Sequence, residues 1–329
     1  LALLIPVLLK APESEAKVYR GKCKSNLTWS YDSKTKTMVI DCKGDMPDDE
    51  QFYDLDMGWR KYYFKTKKVI LKKGISSIGA GAFYNFQKLE EVVLPEGLRI
   101  IKYDAFDGCR KLQFINKPST LEVIEKDVFW DVKIKSISLK NLKKLGSECF
   151  SGAKLQSVDI PAKCKIEDSV FWSCKKLKKV TFEKGVKRIS YGMFRETGIK
   201  NIDIPGSVTQ IGTYAFANCQ SLKKAIINEG VKKISKDAFS NTALKEITIP
   251  STVTKLGKNA FRWESTEKSS LKKVVIRSKN IKKWGTMVFG ATRDDLVIYV
   301  PKSKKAEYEK ILRSTNGLDF HAKIVGKNW

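Results

Sequence analysis

The chain has 329 residues, of which 63 are Lys or Arg and 36 are Asp or Glu, so its formal net charge is +27. The 42% of hydrophobic residues supply enough apolar side chains for a sizeable core. Beyond the first residues no stretch is long and apolar enough to cross a membrane, which excludes a spanning helix there. The charge favours polyanionic partners, such as acidic glycans, teichoic-type polymers, nucleic acid or anionic membranes, and carries no information on the fold.

Residues 1–9 (LALLIPVLL) are apolar but too short to span a bilayer, and small residues follow at 11–16 (APESEA). This order is typical of a secretory leader, although neither an initiator Met nor a basic segment precedes it. We therefore predict a leader remnant or flexible N-terminus over residues 1–21, and a secreted or cell-surface location. A cloning scar and an N-terminal strand that packs on the first coil of the repeat described below are the alternatives.

Residues 26–43 contain two runs of alternating apolar and polar side chains, LTWSY and TMVID, which predict a β-hairpin. The acidic segment 44–56 lacks the spacing of an EF-hand, so a solvated acidic loop is favoured over a calcium site. Trp59 and the aromatic run after it supply more apolar surface than a lone hairpin needs. Residues 22–64 are therefore predicted to form a cap on the segment that follows.

Residues 204–216 (IPGSVTQIGTYAF) recur along most of the chain with small changes. Each copy ends at a phenylalanine, and consecutive phenylalanines are 21 to 28 residues apart. These positions are Phe83, Phe106, Phe129, Phe150, Phe171, Phe194, Phe216, Phe239, Phe261 and Phe289. A period in the low twenties predicts a leucine-rich repeat solenoid over residues 65–301, in which each repeat forms one coil that contacts only its neighbours.

Six apolar positions of the copy at 177–194 (LKKVTFEKGVKRISYGMF) recur in the other copies, and the residues between them vary. The recurring positions are Leu177, Val180, Phe182, Val186, Ile189 and Phe194. The alternation around Val180 predicts one short strand per coil of 21–23 residues, and the rest of the coil is too short for more than a helical turn. Eleven such strands, including one near residue 136, are expected to stack as a parallel sheet. Lys117 occupies an apolar position, so its strand is expected to be frayed or shifted.

The seven cysteines fall into two groups of interest. Cys23 and Cys42 bracket the predicted hairpin, where either an extracellular disulfide or two independent thiols would fit. Cys109, Cys174 and Cys219 each follow a repeat phenylalanine by three residues, a position that is predicted to point into the core. Equivalent atoms two coils apart lie beyond disulfide reach, so these three are expected to be buried thiols.

Residues 302–329 depart from the repeat and are predicted to close the far end of the stack. Ser303 is a candidate N-cap for a helix that runs through about residue 313 and carries its apolar side chains on one face. A final strand is expected over residues 319–325.

The repeat sequence resembles that of the BspA-like leucine-rich repeat family, whose coil follows roughly L-x-x-V-x-I-P-x-x-V-x-x-I-G-x-x-A-F-x-x-C. The copies at 177–194, 204–219 and 249–261 match this pattern best, and the resemblance covers about residues 64–301. The hairpin and the C-terminal helix also look like that family's usual ends. The resemblance implies surface-exposed or secreted proteins of host-associated microbes, bacterial adhesins that bind other molecules, and it brings no catalytic residue to this chain.

Little in the sequence supports catalysis. His321 is the only histidine, and no nucleophile motif accompanies it. Neither a Cys-x-x-Cys pair nor a glycine-rich phosphate loop is present. We therefore predict that the protein is not an enzyme and needs no cofactor or metal.

Basic residues recur at the V-x-x-I step of the repeat, on the outward-facing positions. Stacked coils would align them as a stripe that includes Lys143, Lys144, Lys187, Arg188, Lys232, Lys233, Lys282 and Lys283. A second stripe follows the repeat leucine, with pairs such as Lys178 and Lys179. The stripes are candidates for an extended polyanion. The alternative is that they only keep a lysine-rich protein soluble.

Aromatic residues directly follow three of the repeat phenylalanines, at Tyr84, Trp130 and Trp172. These positions are predicted to point outward, where the rings could stack on sugars, contact another chain or cover neighbouring aliphatic stems.

Together these features favour a monomeric, non-catalytic recognition or adhesion protein that binds a host or microbial surface protein or an acidic glycan through its repeats; nucleic acid is not expected as a partner. A structural scaffold or spacer of the cell envelope, without a dedicated ligand, is the alternative. A clustered patch of exposed groups would favour recognition, and a uniform polar ladder would favour a spacer.

Overall fold

A computed structural model describes residues 16–23, 26–49, 57–264, 269–290, 295–315, 318 and 321–329. The segment with the predicted leader, residues 1–15, lies outside this part of the chain. The protein is a β-solenoid of about 11 coils, and most of its strands are parallel. This confirms the fold expected from the repeat.

The first side of the solenoid, here called the long-strand side, carries the predicted strands. Their bounds are Lys68–Leu71, Glu91–Val93, Phe114–Ile115, Ser157–Ile160, Lys179–Phe182, Asn201–Ile204, Lys224–Ile227, Glu246–Ile249, Lys273–Ile276 and Val297–Pro301. Neighbours pair in parallel, for example Val158 with Val180 and Ile160 with Phe182. Side chains alternate between core and surface along each strand, as the period of two requires.

A second strand in each coil forms the short-strand side, which the sequence pattern did not reveal. The strands of its first sheet are Gly44–Asp45, Ile75–Ile78, Ile100–Ile101, Val123–Ile124, Lys144–Leu145 and Lys165–Ile166. Those of its second sheet are Arg188–Ile189, Gln210–Ile211, Lys233–Ile234, Lys255–Leu256 and Lys283–Trp284. Most have two residues, too few for an alternating pattern to be recognised. They lie where a helical turn was expected.

The third side carries the repeat phenylalanines and is built from turns. The residue two positions before each phenylalanine has a positive φ, and in the first nine coils its N–H donates to a carbonyl of the next coil, as from Asp104 to Lys126. Only Gly81 and Gly192 are glycines at this position; Asp, Glu, Ser, Asn, Tyr and Met fill the others. Left-handed backbone disfavours such side chains, so the bonds between coils hold the conformation.

The phenylalanine rings form one continuous stack through the core. Centroids of consecutive rings are 5.1 to 6.0 Å apart, and their planes lie within 17° of each other. The thiols of Cys109, Cys174 and Cys219 donate to phenylalanine carbonyls of the preceding coil at 3.0 to 3.2 Å. These three cysteines are buried, as predicted.

The long-strand side is interrupted where the repeat pattern fails. The strand Phe114–Ile115 has two residues, and Lys117 sits half-buried at the position that Leu94 fills in the preceding coil. The amide of Asn116 instead accepts from the Leu94 N–H at 2.7 Å and donates to its carbonyl at 2.8 Å. The strand expected near residue 136 is not formed. A frayed segment at Lys117 was expected, but the loss of the next strand was not.

The N-terminal cap is a three-stranded antiparallel meander of Val18–Cys23, Leu27–Asp32 and Thr37–Cys42. It begins at Val18, so the boundary predicted at residue 22 falls inside its first strand. The third strand pairs in parallel with Lys68–Leu71 and so continues the long-strand side. A 3-10 helix at Arg60–Tyr62 follows.

The cap also supplies hydrogen-bond donors to the backbone carbonyls on the third side of the first coil. Along this side each coil's carbonyls accept from the coil before it, so those of the first coil need donors from elsewhere. Ala80 accepts from the Asp49 N–H at 2.8 Å, and Ala82 accepts from the Trp59 indole at 3.1 Å. The Arg60 guanidinium donates to the carbonyls of Gly81 and Tyr84, and pairs with the buried Asp49 carboxylate at 3.2 Å.

The possible disulfide between Cys23 and Cys42 is not formed. Both residues flank Leu27, Cys23 on the first strand of the meander and Cys42 on the third. Two strand spacings amount to about 10 Å, beyond the reach of a disulfide. The thiol of Cys23 instead lies 3.8 Å from the sulfur of Met57, and that of Cys42 lies 3.6 Å from the Asp45 carbonyl.

The C-terminal cap contains a 3-10 helix at Lys302–Lys304, an α-helix at Lys305–Thr315 and a last parallel strand at Lys323–Lys327. Pro301, rather than the predicted Ser303, is the N-cap of the 3-10 segment, and no side chain caps it. Tyr308 and Leu312 are buried, as predicted for the apolar face. The Tyr308 hydroxyl accepts from the Ile281 N–H at 3.3 Å and donates to the Ser278 carbonyl at 3.2 Å, which ties the helix to the final coils.

Candidate functional site

The predicted basic stripe lies on the short-strand side, and the structure divides it into two parts. In the first sheet, Glu122 accepts from Arg99 at 3.1 Å and from Lys143 at 3.0 Å. Glu167 lies 3.3 Å from Lys144 and 3.5 Å from Lys165. Hydrogen bonds from Lys143 and Arg99 lower the pKa of Glu122. Each cation of this sheet therefore has an acidic neighbour.

In the second sheet four of the five equivalent residues are cationic, and none is acidic. Arg188, Gln210, Lys233, Lys255 and Lys283 follow one another in register. The preceding position is occupied by lysines on alternate coils, with threonines between them. We call the seven cations the basic track: Lys187, Arg188, Lys232, Lys233, Lys255, Lys282 and Lys283.

All seven side chains of the basic track are exposed. Within the part of the chain that the structure describes, no Asp or Glu oxygen comes within 4.0 Å of any of them. Neighbouring strands of a sheet are about 4.8 Å apart, so like charges on adjacent coils repel each other. The arrangement presents a run of positive potential that an anion would relieve.

A cleft of about 420 Å³ opens at the end of the basic track, where the two short-strand sheets do not pair. Lys165, Lys187 and Arg188 lie along it, together with Glu167 and the half-buried Cys164. Burial raises the pKa of the Cys164 thiol to about 11, so it is protonated at neutral pH. The sequence pattern gave no sign of this break, because the repeat continues through it.

The second predicted stripe lies on the long-strand side. Lys178, Lys179, Lys223 and Lys224 are exposed there. Strand partners of other types interrupt it, since Lys224 pairs in register with Asn201 and Lys273 lies 3.3 Å from Glu246. It forms a mixed surface instead of a cationic column.

The three predicted aromatic residues come together in a groove of about 560 Å³ on the third side. Trp130 is 45% exposed, while Tyr84 and Trp172 are half-buried. Sequence reasoning missed the polar residues that line the groove with them: Asn85, Gln87, Asp107, Arg110, Asp131 and Ser151. Their signal was available in the sequence, because most occupy the one or two positions that follow a repeat phenylalanine.

Asp107 has the most unusual electrostatics of this groove. Burial, together with the negative charge of Asp104, raises the pKa of its carboxyl to about 7. Burial and Asp127 likewise raise the pKa of Asp104 to about 6. Asp131, by contrast, lies 3.5 Å from both Arg110 and Lys154. One carboxyl of the groove thus titrates near neutral pH while another is held in an ion-pair network.

The remaining candidates do not assemble into a site. His321 is exposed and precedes the last strand, outside the repeats. Among the described residues, no group of three or more His, Cys, Asp or Glu is placed to hold a metal ion. In the described part of the acidic segment, Asp45 accepts from Ser76 and Ser77, and Asp48 pairs with Lys102 at 2.9 Å. This part of the segment docks on the solenoid, whereas a solvated loop was expected; residues 50–56 lie outside the described chain.

No described helix has the length and apolar character that crossing a membrane requires.

Solved structures of leucine-rich repeat proteins have a similar fold. Among solved structures, a leucine-rich repeat protein from Bacteroides ovatus is 21% identical with a TM-score of 0.60, and the match covers 92% of this chain and 89% of that one. A leucine-rich repeat protein from Eubacterium ventriosum is 20% identical with a TM-score of 0.60, over 86% of this chain and 84% of that one. No significant match is found among curated proteins.

The sequence profile of the BspA type leucine rich repeat region matches residues 61–178 and 145–268, with six copies. These residues make up more than half of the chain and contain nine of the ten stacked phenylalanines, five of the seven cations of the basic track and the aromatic groove. The chain belongs to the BspA type leucine-rich repeat family.

Proposed function

We propose that this protein is a non-catalytic recognition module, secreted or held at the cell surface, that binds an acidic glycan through the basic track. The observation that carries the proposal is the register of Arg188, Lys233, Lys255 and Lys283 on four of the five coils of the second short-strand sheet, without acids beside them. The apolar leader-like residues 1–9 and the family resemblance support the extracellular location.

The geometry favours a linear anion. The coils are about 4.8 Å apart, and the cations lie in register on four of the five coils of the second short-strand sheet. A flexible chain with regularly spaced sulfate, phosphate or carboxylate groups can contact all of them at once and release its counterions on binding. A folded protein would need a matching row of acidic side chains. The cleft beside Lys187 and Arg188 gives the track a recessed end that can take the terminus or a branch of such a chain.

The uneven distribution of charge argues against a simple spacer. Solubility would be served by cations spread over all coils, with or without acidic neighbours. Here the lysines of the first short-strand sheet are ion-paired and those of the second are not. Of the two short-strand sheets, only the second therefore carries cations without acidic neighbours.

The test is binding to immobilised heparin and to purified teichoic acid at low and physiological ionic strength. A fourfold charge reversal, Arg188→Glu, Lys233→Glu, Lys255→Glu and Lys283→Glu, is expected to weaken binding by about a hundredfold or more, because several simultaneous contacts are lost. The matched control reverses Lys178, Lys223, Lys245 and Lys272 on the long-strand side and changes the net charge equally.

Retention that falls with salt, is lost in the first variant and persists in the control would support the proposal. Equal loss in both variants would show that only net charge matters. If the wild-type protein binds neither polymer but captures matrix proteins from an array, the glycan is the wrong ligand class.

A further inference from the structure

The aromatic groove has a regular construction that the basic track does not explain. Residues directly after the repeat phenylalanine stack in one row along the solenoid, as the backbone bonds from Asn85 to Asp107 and from Gly152 to Trp172 show. In order, the first five members of this row are Tyr84, Asp107, Trp130, Ser151 and Trp172. Large rings on alternate coils are thus separated by short polar side chains.

The spacing of these rings is set by the core beneath them. Consecutive phenylalanine rings lie 5.3, 5.6, 5.4 and 6.0 Å apart along these five coils. Each aromatic side chain of the groove is therefore two such steps from the next. The gaps at Asp107 and Ser151 are the recesses that make up the groove.

The row loses this character after Trp172. Its next members are Arg195, Ala217, Ser240, Arg262 and Gly290, none of which is aromatic. The Arg195 guanidinium lies over the Trp172 ring, 5.6 Å from its centroid, and ends the groove there. The aromatic groove is confined to the first five coils and is absent from the coils that carry the basic track.

The groove also carries groups that hydrogen-bond at its rim. Asp107 and Asn85 offer oxygen acceptors, and Arg110 offers donors beside Asp131. The indole N–H of Trp172 is buried, and no hydrogen-bond partner is found for it among the described residues. Aromatic faces with a few polar groups around them are the usual lining of a site for a ligand that has both apolar faces and hydroxyl edges.

We propose that the groove formed by Tyr84, Trp130 and Trp172 binds an extended, uncharged, β-1,4-linked hexopyranose chain. A pyranose ring has an apolar C–H face that stacks on an aromatic ring and hydroxyls that bond to carboxylates and amides. In an extended β-1,4 chain successive units are flipped, so every second unit presents the same face. Rings on alternate coils match that two-unit repeat, and the recesses at Asp107 and Ser151 take the units between.

This site is independent of the basic track in position and in ligand chemistry. An uncharged chain gains nothing from the lysines, so its binding should be unchanged by salt, whereas polyanion binding falls as salt screens the charges. Each proposal can therefore fail without the other.

The test is calorimetric titration of the full chain with cellohexaose and N-acetylchitohexaose, with maltohexaose as the comparison because its α-linkages curve the chain. At least one β-linked hexaose is expected to bind, with the same affinity at low and high salt, and maltohexaose is expected to bind at least about tenfold more weakly.

Trp130→Ala removes the most exposed ring of the groove and is expected to weaken binding about tenfold or more. Trp329→Ala is the matched control, because Trp329 is 46% exposed and Trp130 is 45% exposed. Unchanged thermal unfolding shows that both variants are folded. The proposal is overturned if neither β-linked hexaose binds, if maltohexaose binds equally well, or if the two tryptophan variants behave alike.

Discussion

The two short-strand sheets share one side of the solenoid and the same pairing geometry, but their surface charges differ. The cations of the first sheet are ion-paired, and those of the second have no acidic neighbour. In the first sheet Glu122 bridges cations on the coils before and after its own, and Glu167 bridges one cation of the preceding coil and one of its own coil. In the second, Thr209 and Gln210 occupy the coil between the cations of Arg188 and Lys233. The scaffold tolerates both patterns, because these side chains lie on the surface and the core residues beneath them are alike.

The contrast extends to the cap. The buried pair of Asp49 and Arg60 lies at the N-terminal end and bonds to the first coil. The charges of this pair and of the first short-strand sheet are therefore held in ion pairs, and those of the basic track are available for binding. Four changes test this division, in order of the effect expected.

Arg60→Met should have the largest effect. It removes the ion-pair partner of the buried Asp49 and two donors to carbonyls of the first coil, and should lower the free energy of unfolding by about 3–5 kcal/mol. Urea denaturation measures the change. Lys255→Met is the control from the basic track and should stay within about 0.5 kcal/mol of the wild type. Similar losses of unfolding free energy in the two variants would contradict the distinction between structural charges and charges available for binding.

Glu167→Gln should turn part of the first sheet into an extension of the basic track. Lys144 and Lys165 lose their shared acid, so heparin should bind a few-fold more tightly, while unfolding changes by at most about 1 kcal/mol. Glu246→Gln makes the same change of charge beside Lys273 on the long-strand side. If heparin binding tightens as much in this control, the location of the removed acid does not matter.

Gln210→Glu applies the opposite change to the second sheet. An acid between Arg188 and Lys233 recreates the ion-paired pattern and should weaken heparin binding about two- to threefold. Asn201→Glu adds the same charge on the long-strand side. Elution from heparin at an unchanged salt concentration in the Gln210 variant would argue that the track is not contacted there.

The smallest effect concerns pH. The pKa of Asp107 is raised to about 7 by burial and by Asp104, so the folded state holds a proton that the unfolded chain releases near its ordinary value of 3.8. Stability should therefore fall as pH rises from about 5 to 8. The lowered pKa values of Asp45 and Glu122 act only below this window, where stability falls again as pH decreases.

Melting temperatures of the wild type and of Asp107→Asn between pH 5 and pH 8 measure this effect. The variant should show a shallower decline, because one of the titrating groups has been removed. Identical slopes would mean that Asp107 titrates normally.

The repeat made much of the fold predictable from the sequence. Ten phenylalanines at nearly constant spacing required stacked coils, and a coil that cannot bury its apolar face alone requires neighbours. The outward placement of Tyr84, Trp130 and Trp172 followed from the same periodicity. Two of the three cap strands and the apolar face of the C-terminal helix were also visible, since their patterns are local, whereas the first cap strand, Val18–Cys23, was not predicted.

Other features depended on contacts between coils. The two-residue strands of the short-strand side are too short to leave a pattern, and the left-handed residues before each phenylalanine include Tyr214 and Met287, which no local rule favours. The sequence left open whether Cys23 and Cys42 form a disulfide or two independent thiols, and the structure keeps them apart because an entire strand lies between them. The periodicity of hydrophobic residues thus determined that coils stack and which side chains face outward. Only the tertiary structure decided which outward charges meet an acid on the next coil, because that depends on register between segments more than twenty residues apart.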